Sequence, residues 1–323
     1  MSELQKFIFD GMPVRGMVVR LTDSWREVLK RRADSGEWAP AVRDTLGQMA
    51  AASVLMQANL KFNGALILQV HGDGPVKLAV AEAMSDLRFR VTAKVQGDVP
   101  ADARFGDLVN QHGHGRCAIT LDPLDRQPGQ QPYQGVVPLA SPDGGPVGDV
   151  ATMLEHYMRQ SEQLETRIVL AANGDAACGL LIQRLPIEGE GNLAGQSALA
   201  QEAESHDEAF TRIAHLAATL TADELLTLDV PTILHRLFWE EPLRVFEPQS
   251  PTFACSCSAD RVRNMLRNLG REEAESILDE RGDIEIGCDF CGTQYRFDAV
   301  DVGALFAPST SQAGQAGAAP SVH

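Results

Sequence analysis

Two pairs of cysteines near the C-terminal end hold the most specific chemical spacing in this chain. They read Cys255-Ser-Cys257 and Cys288-Asp-Phe-Cys291, with thirty residues between Cys257 and Cys288. Four thiols in two close pairs make either a metal cage or two disulfides, and a site that alternates between them is a redox switch. Four thiolates suit zinc, which they enclose tetrahedrally with no open position for a substrate water. A lone C-x-x-C says little, whereas two pairs bracketing a helical insert are a specific signal. The commonest use of four such cysteines is a static zinc clip. The C-x-C pair leans away from that use. Its two sulfurs enclose a very short loop, so an oxidised pair closes a small strained ring, and strained bridges are labile. Metal-held thiolates also stay nucleophilic toward oxidants.

Two other uses of the cysteines fit less well. A thioredoxin-type C-x-x-C opens a helix, where the dipole lowers the thiol pKa. Here the strand-like Thr293-Gln-Tyr-Arg-Phe297 follows instead. A nucleic-acid zinc ribbon needs a basic face. From Cys255 through Asp298 stand six Arg or Lys against ten Asp or Glu.

The elements around the cysteines can be read from local pattern. Ser258 caps a helix over 259–269 that Gly270 stops, and Arg271–Glu280 forms a second helix ending near Gly282. Ile284–Ile286 is a short strand leading into Cys288, and Tyr295 and Phe297 alternate in another after Gly292. So small a unit, 243–306, buries little core and needs a staple, and zinc supplies roughly 10–16 kcal/mol to such a site. Ahead of it, 186–242 reads as a helical linker opened by a Gly-rich acidic stretch, Ile187–Gln196. Its first helix, Ser197–Leu220, sets Glu202, Glu204, Asp207 and Glu208 on one side. Phe210, Ile213, Ala214, Ala217 and Leu220 form an apolar stripe on it. Thr221 to Glu224 fits a capping box, and Asp229-Val-Pro231 starts a third helix through Leu234, Leu237, Phe238 and Trp239. This region has no closed core of its own and must dock on something.

Residues 1–185 read as a mixed α and β domain. Val14–Leu21 is a strand, Asp23 caps a helix carrying Trp25, Val28 and Leu29, and Pro40 opens a longer helix. Leu46, Met49, Ala50, Ser53, Met56 and Leu60 recur there at three- and four-residue steps, which buries one face. Ala65–Val70 and Val76–Ala81 flank His71-Gly-Asp-Gly-Pro75 and predict a hairpin. Further strands are expected at Phe89–Val95, Cys117–Leu121, Gly135–Leu139, Arg167–Ala172 and Gly179–Leu185. A helix capped by Asp149 is expected over Val150–Gln160. Strands clustered with a few long helices give an α+β fold, without the strand–helix alternation of a nucleotide-binding fold. The tail, 307–323, is Ala-, Gly-, Ser- and Pro-rich and expected to be disordered.

Composition narrows the function. A net charge of −16 disfavours nucleic acid and anionic membrane surfaces as partners, and no apolar run is long enough to span a bilayer. The start, MSELQKFIFDG, lacks the basic and apolar regions of a secretory signal, which points to the cytoplasm, where thiols are kept reduced. Cys117 and Cys178 lie in apolar strands and read as buried structural thiols. His112-Gly-His114 reads as a polar loop and His71 as a turn residue. Met49 and Met56 read as core. No nucleophile elbow, zincin motif or phosphate loop occurs, so no catalytic centre and no enzyme is expected.

The segment Phe253-Ala-Cys-Ser-Cys-Ser, a helix pair and then Cys288-Asp-Phe-Cys-Gly-Thr-Gln-Tyr-Arg-Phe resembles the thirty-three-kilodalton redox-regulated heat-shock chaperone family of bacteria. Leu60-Lys-Phe62, Gly72-Asp-Gly-Pro75, Val95-Gln-Gly97, Tyr133-Gln-Gly-Val-Val137, Ser161-Glu-Gln-Leu164 and Glu224-Leu-Leu-Thr-Leu228 extend the resemblance over nearly all of the chain except the tail. It implies an ATP-independent holdase of the oxidative stress response that binds unfolding client proteins. Reduced, such a protein holds one zinc per chain on the four cysteines and is inactive. Oxidised, it loses zinc and forms disulfides Cys255–Cys257 and Cys288–Cys291, the linker unfolds, and the active form is a homodimer. The stripe of Phe210, Ile213, Ala217 and Leu220 is then the expected client-binding surface. The alternative is a constitutive zinc-stapled interaction module without redox switching.

Overall fold

In the computed structural model, residues 1–33, 36–126, 129–140, 147–186 and 196–307 are described, without the side chains of 196–206. The expected Gly-rich stretch after Pro186 and the tail beyond residue 307 lie outside the described residues, as do the side chains of Glu202 and Glu204. Contacts divide the chain into Met1–Cys255 and Ser256–His323.

The first unit opens with β1 (Glu3–Phe9), β2 (Val14–Leu21), α1 (Asp23–Ala33), α2 (Pro40–Asn59), β3 (Gly64–His71), β4 (Val76–Met84) and β5 (Arg88–Val95). It continues with α3 (Phe105–Val109), β6 (Arg116–Pro123), β7 (Tyr133–Pro138), α4 (Val150–Ser161), β8 (Thr166–Ala172) and β9 (Ala177–Arg184). Then come α5 (Gln196–Ala218), α6 (Ala222–Thr227), α7 (Val230–Phe238), β10 (Leu243–Val245) and β11 (Thr252–Phe253). The strands form one sheet in the order β10-β1-β2-β9-β8 and a second in the order β11-β5-β4-β3-β6-β7. All pairings among them are antiparallel except β11 with β5.

Helix α2 packs on strands of both sheets. It is therefore buried almost all round, Ala51, Ala52, Val54 and Leu55 included, and not on the single face its periodicity predicts. Met49 and Met56 lie in this core. Gly47 permits the approach, since a Cβ there would meet Ala172 Cβ at 2.5 Å. The start of the chain, read only for a targeting signal, is a strand whose Leu4, Phe7 and Phe9 are fully buried. His71, expected in a turn, ends β3 as an exposed strand residue.

The first sheet has two apolar faces. Met17, Val19, Leu21 and Leu181 share the α2 core. Phe7, Phe9, Val18, Leu180 and Ile182 face Ile213, Ala217, Leu220, Leu225, Ile233, Leu237 and Phe238 from the α5–α7 segment. Phe238 meets Phe9 edge-on, with ring centroids 5.1 Å apart, an arrangement that adds to the area buried. The amphipathic helices thus dock on the sheet face that the central strands leave apolar. The capping box at Thr221 and Glu224 and the Asp229 cap both form. Arg20 of β2 donates to the carbonyls of Leu225, Leu226 and Leu228 at the end of α6.

The second unit holds α8 (Ala259–Leu269), α9 (Arg271–Arg281), the hairpin β12 (Ile284–Gly287) with β13 (Gln294–Phe297), and α10 (Ala299–Leu305). Its core is small: Leu266, Ala274, Ile284, Phe297 and Val302. The last helix was not anticipated. Asp298 caps it through the backbone N–H groups of Val300 and Asp301.

Candidate metal centre

Strand β12 ends at Gly287 and delivers Cys288 to a tight turn. Cys288 N–H donates to the Thr293 carbonyl (2.9 Å) and Gly292 N–H donates back to Cys288 (2.8 Å). Gly292 sits at φ 72°, a conformation glycine adopts at no steric cost. This turn presents both sulfurs of the C-x-x-C pair. The C-x-C pair follows β11, and Ser258 then caps α8 through the Arg261 N–H (3.2 Å). The break between the two compact units falls inside the C-x-C pair.

The four sulfurs of Cys255, Cys257, Cys288 and Cys291 all lie within 4.8 Å of one another. Cys257 Sγ and Cys291 Sγ are 3.3 Å apart. Thiolates at about 2.3 Å from one ion stand ~3.8 Å from one another in a tetrahedron. The observed spacings bracket that value. Soft sulfur donors at this separation fit one thiophilic ion and leave no place for a substrate ligand. Among the described residues, no other group of three or more ligating side chains is gathered in this way.

Neighbouring hydroxyls complete the centre. Tyr295 Oη donates to Cys257 Sγ at 3.1 Å, and Thr293 Oγ1 lies 3.2 Å from Cys291 Sγ. Burial alone would raise the Cys291 thiol. The hydrogen bonds from Thr293, Cys257 and Cys288 outweigh it and lower the pKa to about 7. The bond to Cys257 pushes the Tyr295 phenol the other way, to about 12, which keeps it a donor. Arg90 of β5 pairs with Glu82 at 2.6 Å and donates to Cys255. Its burial disfavours the charge, and these two acceptors more than restore it.

Sequence reading singles out the four cysteines but misses Arg90, Thr293 and the Tyr295 hydroxyl. The one available signal was period-two alternation in β13, which sets Tyr295 and Phe297 on one side. Phe210, Ile213, Ala217 and Leu220 come together elsewhere, against the first sheet, with Ile213 and Ala217 fully buried. Cys117 and Cys178 are fully buried, and desolvation pushes their thiols to about 12 and about 11. The His112 and His114 backbones donate to the Asp73 carboxylate at 3.1 and 2.8 Å, so that loop is tied by its main chain. No described helix is long and apolar enough to cross a membrane.

The family described as Hsp33 protein matches residues 2–298. A 33 kDa chaperonin of Chromobacterium violaceum is 47% identical over 309 residues, covering 94% of each chain. One from Neisseria meningitidis serogroup B is 45% identical over 303 residues, covering 93% of this chain and 90% of its own. The crystal structure of the 33 kDa chaperonin of Thermotoga maritima superposes with a TM-score of 0.72 at 22% identity. It covers 94% of this chain and 97% of its own, a likeness of fold.

Proposed function

We propose a function from one premise: this chain belongs to the Hsp33 family, and is a chaperone and not an enzyme. On that premise it is a redox-regulated holdase of the cytoplasm that captures unfolding proteins without ATP. The observation that carries the reading is the convergence of four sulfurs within 4.8 Å, two of them from a C-x-C pair.

The metal is zinc, held by Cys255, Cys257, Cys288 and Cys291, and when bound it supplies a closed tetrahedral staple for a unit with little core. Tyr295 and Thr293 orient the sulfurs and hold charge on them. Oxidation then proceeds within each close pair, Cys255 with Cys257 and Cys288 with Cys291. Each pair of thiolates gives up two electrons, one S–S bond forms, and one hydrogen peroxide takes up those electrons with two protons from solvent and is reduced to two waters. The sulfurs cease to be anionic donors, and the second unit loses its staple. The linker, 186–242, lies between the core, 1–185, and the switch domain, 243–306. Its apolar stripe then leaves the sheet and, with the sheet face it covered, becomes the client surface of an active homodimer.

Peroxide at mildly raised temperature should release one zinc per chain, oxidise four thiols, and switch on suppression of aggregation of an unfolding client. Equal suppression by the reduced, zinc-loaded protein would overturn the switch and leave a constitutive zinc-stapled interaction module.

A further inference from the structure

The segment from Leu243 to Cys255 is a strap across sheet edges. Its first part, β10, pairs with β1 at the edge of the first sheet. Gln249 exchanges main-chain hydrogen bonds with Leu4, at 2.8 and 2.9 Å. Its last part, β11, lies parallel on β5 at the edge of the second sheet, with Thr252 opposite Arg88 and Phe253 opposite Phe89. Thr252 N–H donates to Leu87 and Ala254 N–H to Phe89, at 3.3 and 3.1 Å. Residues 244–250 are exposed, so main-chain bonds hold the strap more than burial does.

Three side chains of the strap are covered: Leu243 packs on the apolar cluster of the first sheet, Pro251 is buried, and Phe253 is the third. Phe253 packs on the main core, and the Arg31 guanidinium of α1 lies 5.3 Å from its ring centroid. Two residues later the strap reaches Cys255, which Arg90 of the same strand β5 engages. Only two residues of strap cover an eight-residue strand. An edge strand with open main-chain groups is a template for any extended segment.

We propose that the β5 edge, with the ring site between Arg31 and the core, is a docking site for extended client segments that carry an aromatic residue. The strap occupies it in the reduced state as an internal mimic. This rests on the redox-switch reading: disulfide formation at Cys255 removes the sulfur acceptor that Arg90 engages, and β11 peels from β5. The occupant is an unfolding polypeptide because the present occupant is itself extended, is held by its main chain, and is selected by one ring. Main-chain pairing accepts any sequence, and the ring site, with a cation over its face, favours Phe, Tyr or Trp.

The test uses the full-length protein and a fluorescein-labelled peptide of residues 248–254, read by anisotropy. The oxidised protein should bind the peptide, the Phe253→Ala peptide at least ten-fold more weakly, and the reduced protein at least ten-fold more weakly. Thr252→Pro in the protein removes one strap hydrogen bond at an exposed residue, and should let the reduced protein bind the peptide several-fold better. Hydrogen exchange should show the Phe89 amide deprotected on oxidation, and the Phe89 and Val91 amides protected by urea-unfolded citrate synthase. Binding that ignores the ring, or β5 amides unmoved by a client that the oxidised protein does hold soluble, would overturn this proposal and leave the redox switch standing. An oxidised protein that neither releases metal nor holds the client would overturn both.

Discussion

Arg20 Nη2 donates to the carbonyl of Leu226 at 2.7 Å, and Nη1 reaches that of Leu228 at the same distance. One guanidinium on β2 therefore closes the C-terminal end of α6, where carbonyls lack helical partners and a cation is favoured. The docked helices are held to the sheet by this clamp as well as by apolar contact.

Arg20→Met keeps the apolar stem and removes the donors. Hydrogen bonds to a charged group are worth about 2 kcal/mol each when half-buried. Hydrogen exchange over 220–238 should rise more than ten-fold in the reduced, metal-loaded protein, while metal content stays at its wild-type value. Unchanged exchange would mean that apolar contact alone holds α6.

Tyr295→Phe deletes one hydroxyl next to the cage. Its bond to Cys257 Sγ supports a charged donor, and losing such an outer partner weakens metal binding roughly ten-fold. Competition with a chromophoric chelator should show that loss, and peroxide should release metal faster. Tyr295→His, which can still donate, should recover part of it.

How much of this was legible in the sequence depends on the range of the forces involved. The cysteine spacing, the Ser258 and Asp149 caps, the Thr221 capping box and the Gly270 and Gly282 stops are local, and each stands where its pattern places it. The apolar stripe of α5 was visible, but its docking surface was not, because Phe7, Phe9, Leu180 and Ile182 come from strands far apart in sequence. Helix α2 misled for the related reason that a second sheet covers its other side. Strands β10 and β11 are two or three residues long, too short for periodicity, and tertiary pairing alone makes them strands. Arg20 and Arg90 carried no signal, since an arginine in a strand is usually a solvated side chain.

Cys117 and Cys178 should be silent in redox chemistry. Burial raises their pKa to about 12 and about 11, above the ordinary thiol value of 9.0. A raised pKa means that their contribution to stability is complete below pH 9 and is lost as pH climbs through 11 and 12. Ellman's reagent at pH 7.5 should count four accessible thiols in chelator-treated native protein, and six after denaturation. Denaturant midpoints should fall between pH 9 and 11. A fifth fast thiol in the native protein would contradict this.

Metal removal without oxidation should melt the second unit and leave the α2 core folded. Its core is Leu266, Ala274, Ile284, Phe297 and Val302, too little apolar area to offset the entropy of ordering so many residues. A chelator under reducing conditions should abolish the amide protection of α8 and α9 and leave that of α2 intact. Protected α8 and α9 in metal-free protein would show that the unit folds unaided.

Ile213 is fully buried between α5 and the first sheet, in the cluster that holds Phe9, Leu180 and Ile182. Ile213→Ala removes methyl groups from that interface and leaves a cavity, at a cost of about 2–4 kcal/mol. The loss falls on the docked state of the linker, because the α2 core has a separate set of contacts. The sulfur cage is untouched by the substitution. The reduced, zinc-loaded variant should therefore hold an unfolding client that the reduced wild type leaves to aggregate, with all four cage thiols still unoxidised. Thr211→Ala, at an exposed site two residues earlier on the same helix, should behave as wild type. If Ile213→Ala stays inactive until oxidised, while its linker exchanges freely, then undocking of the stripe is insufficient for capture and the client surface lies elsewhere.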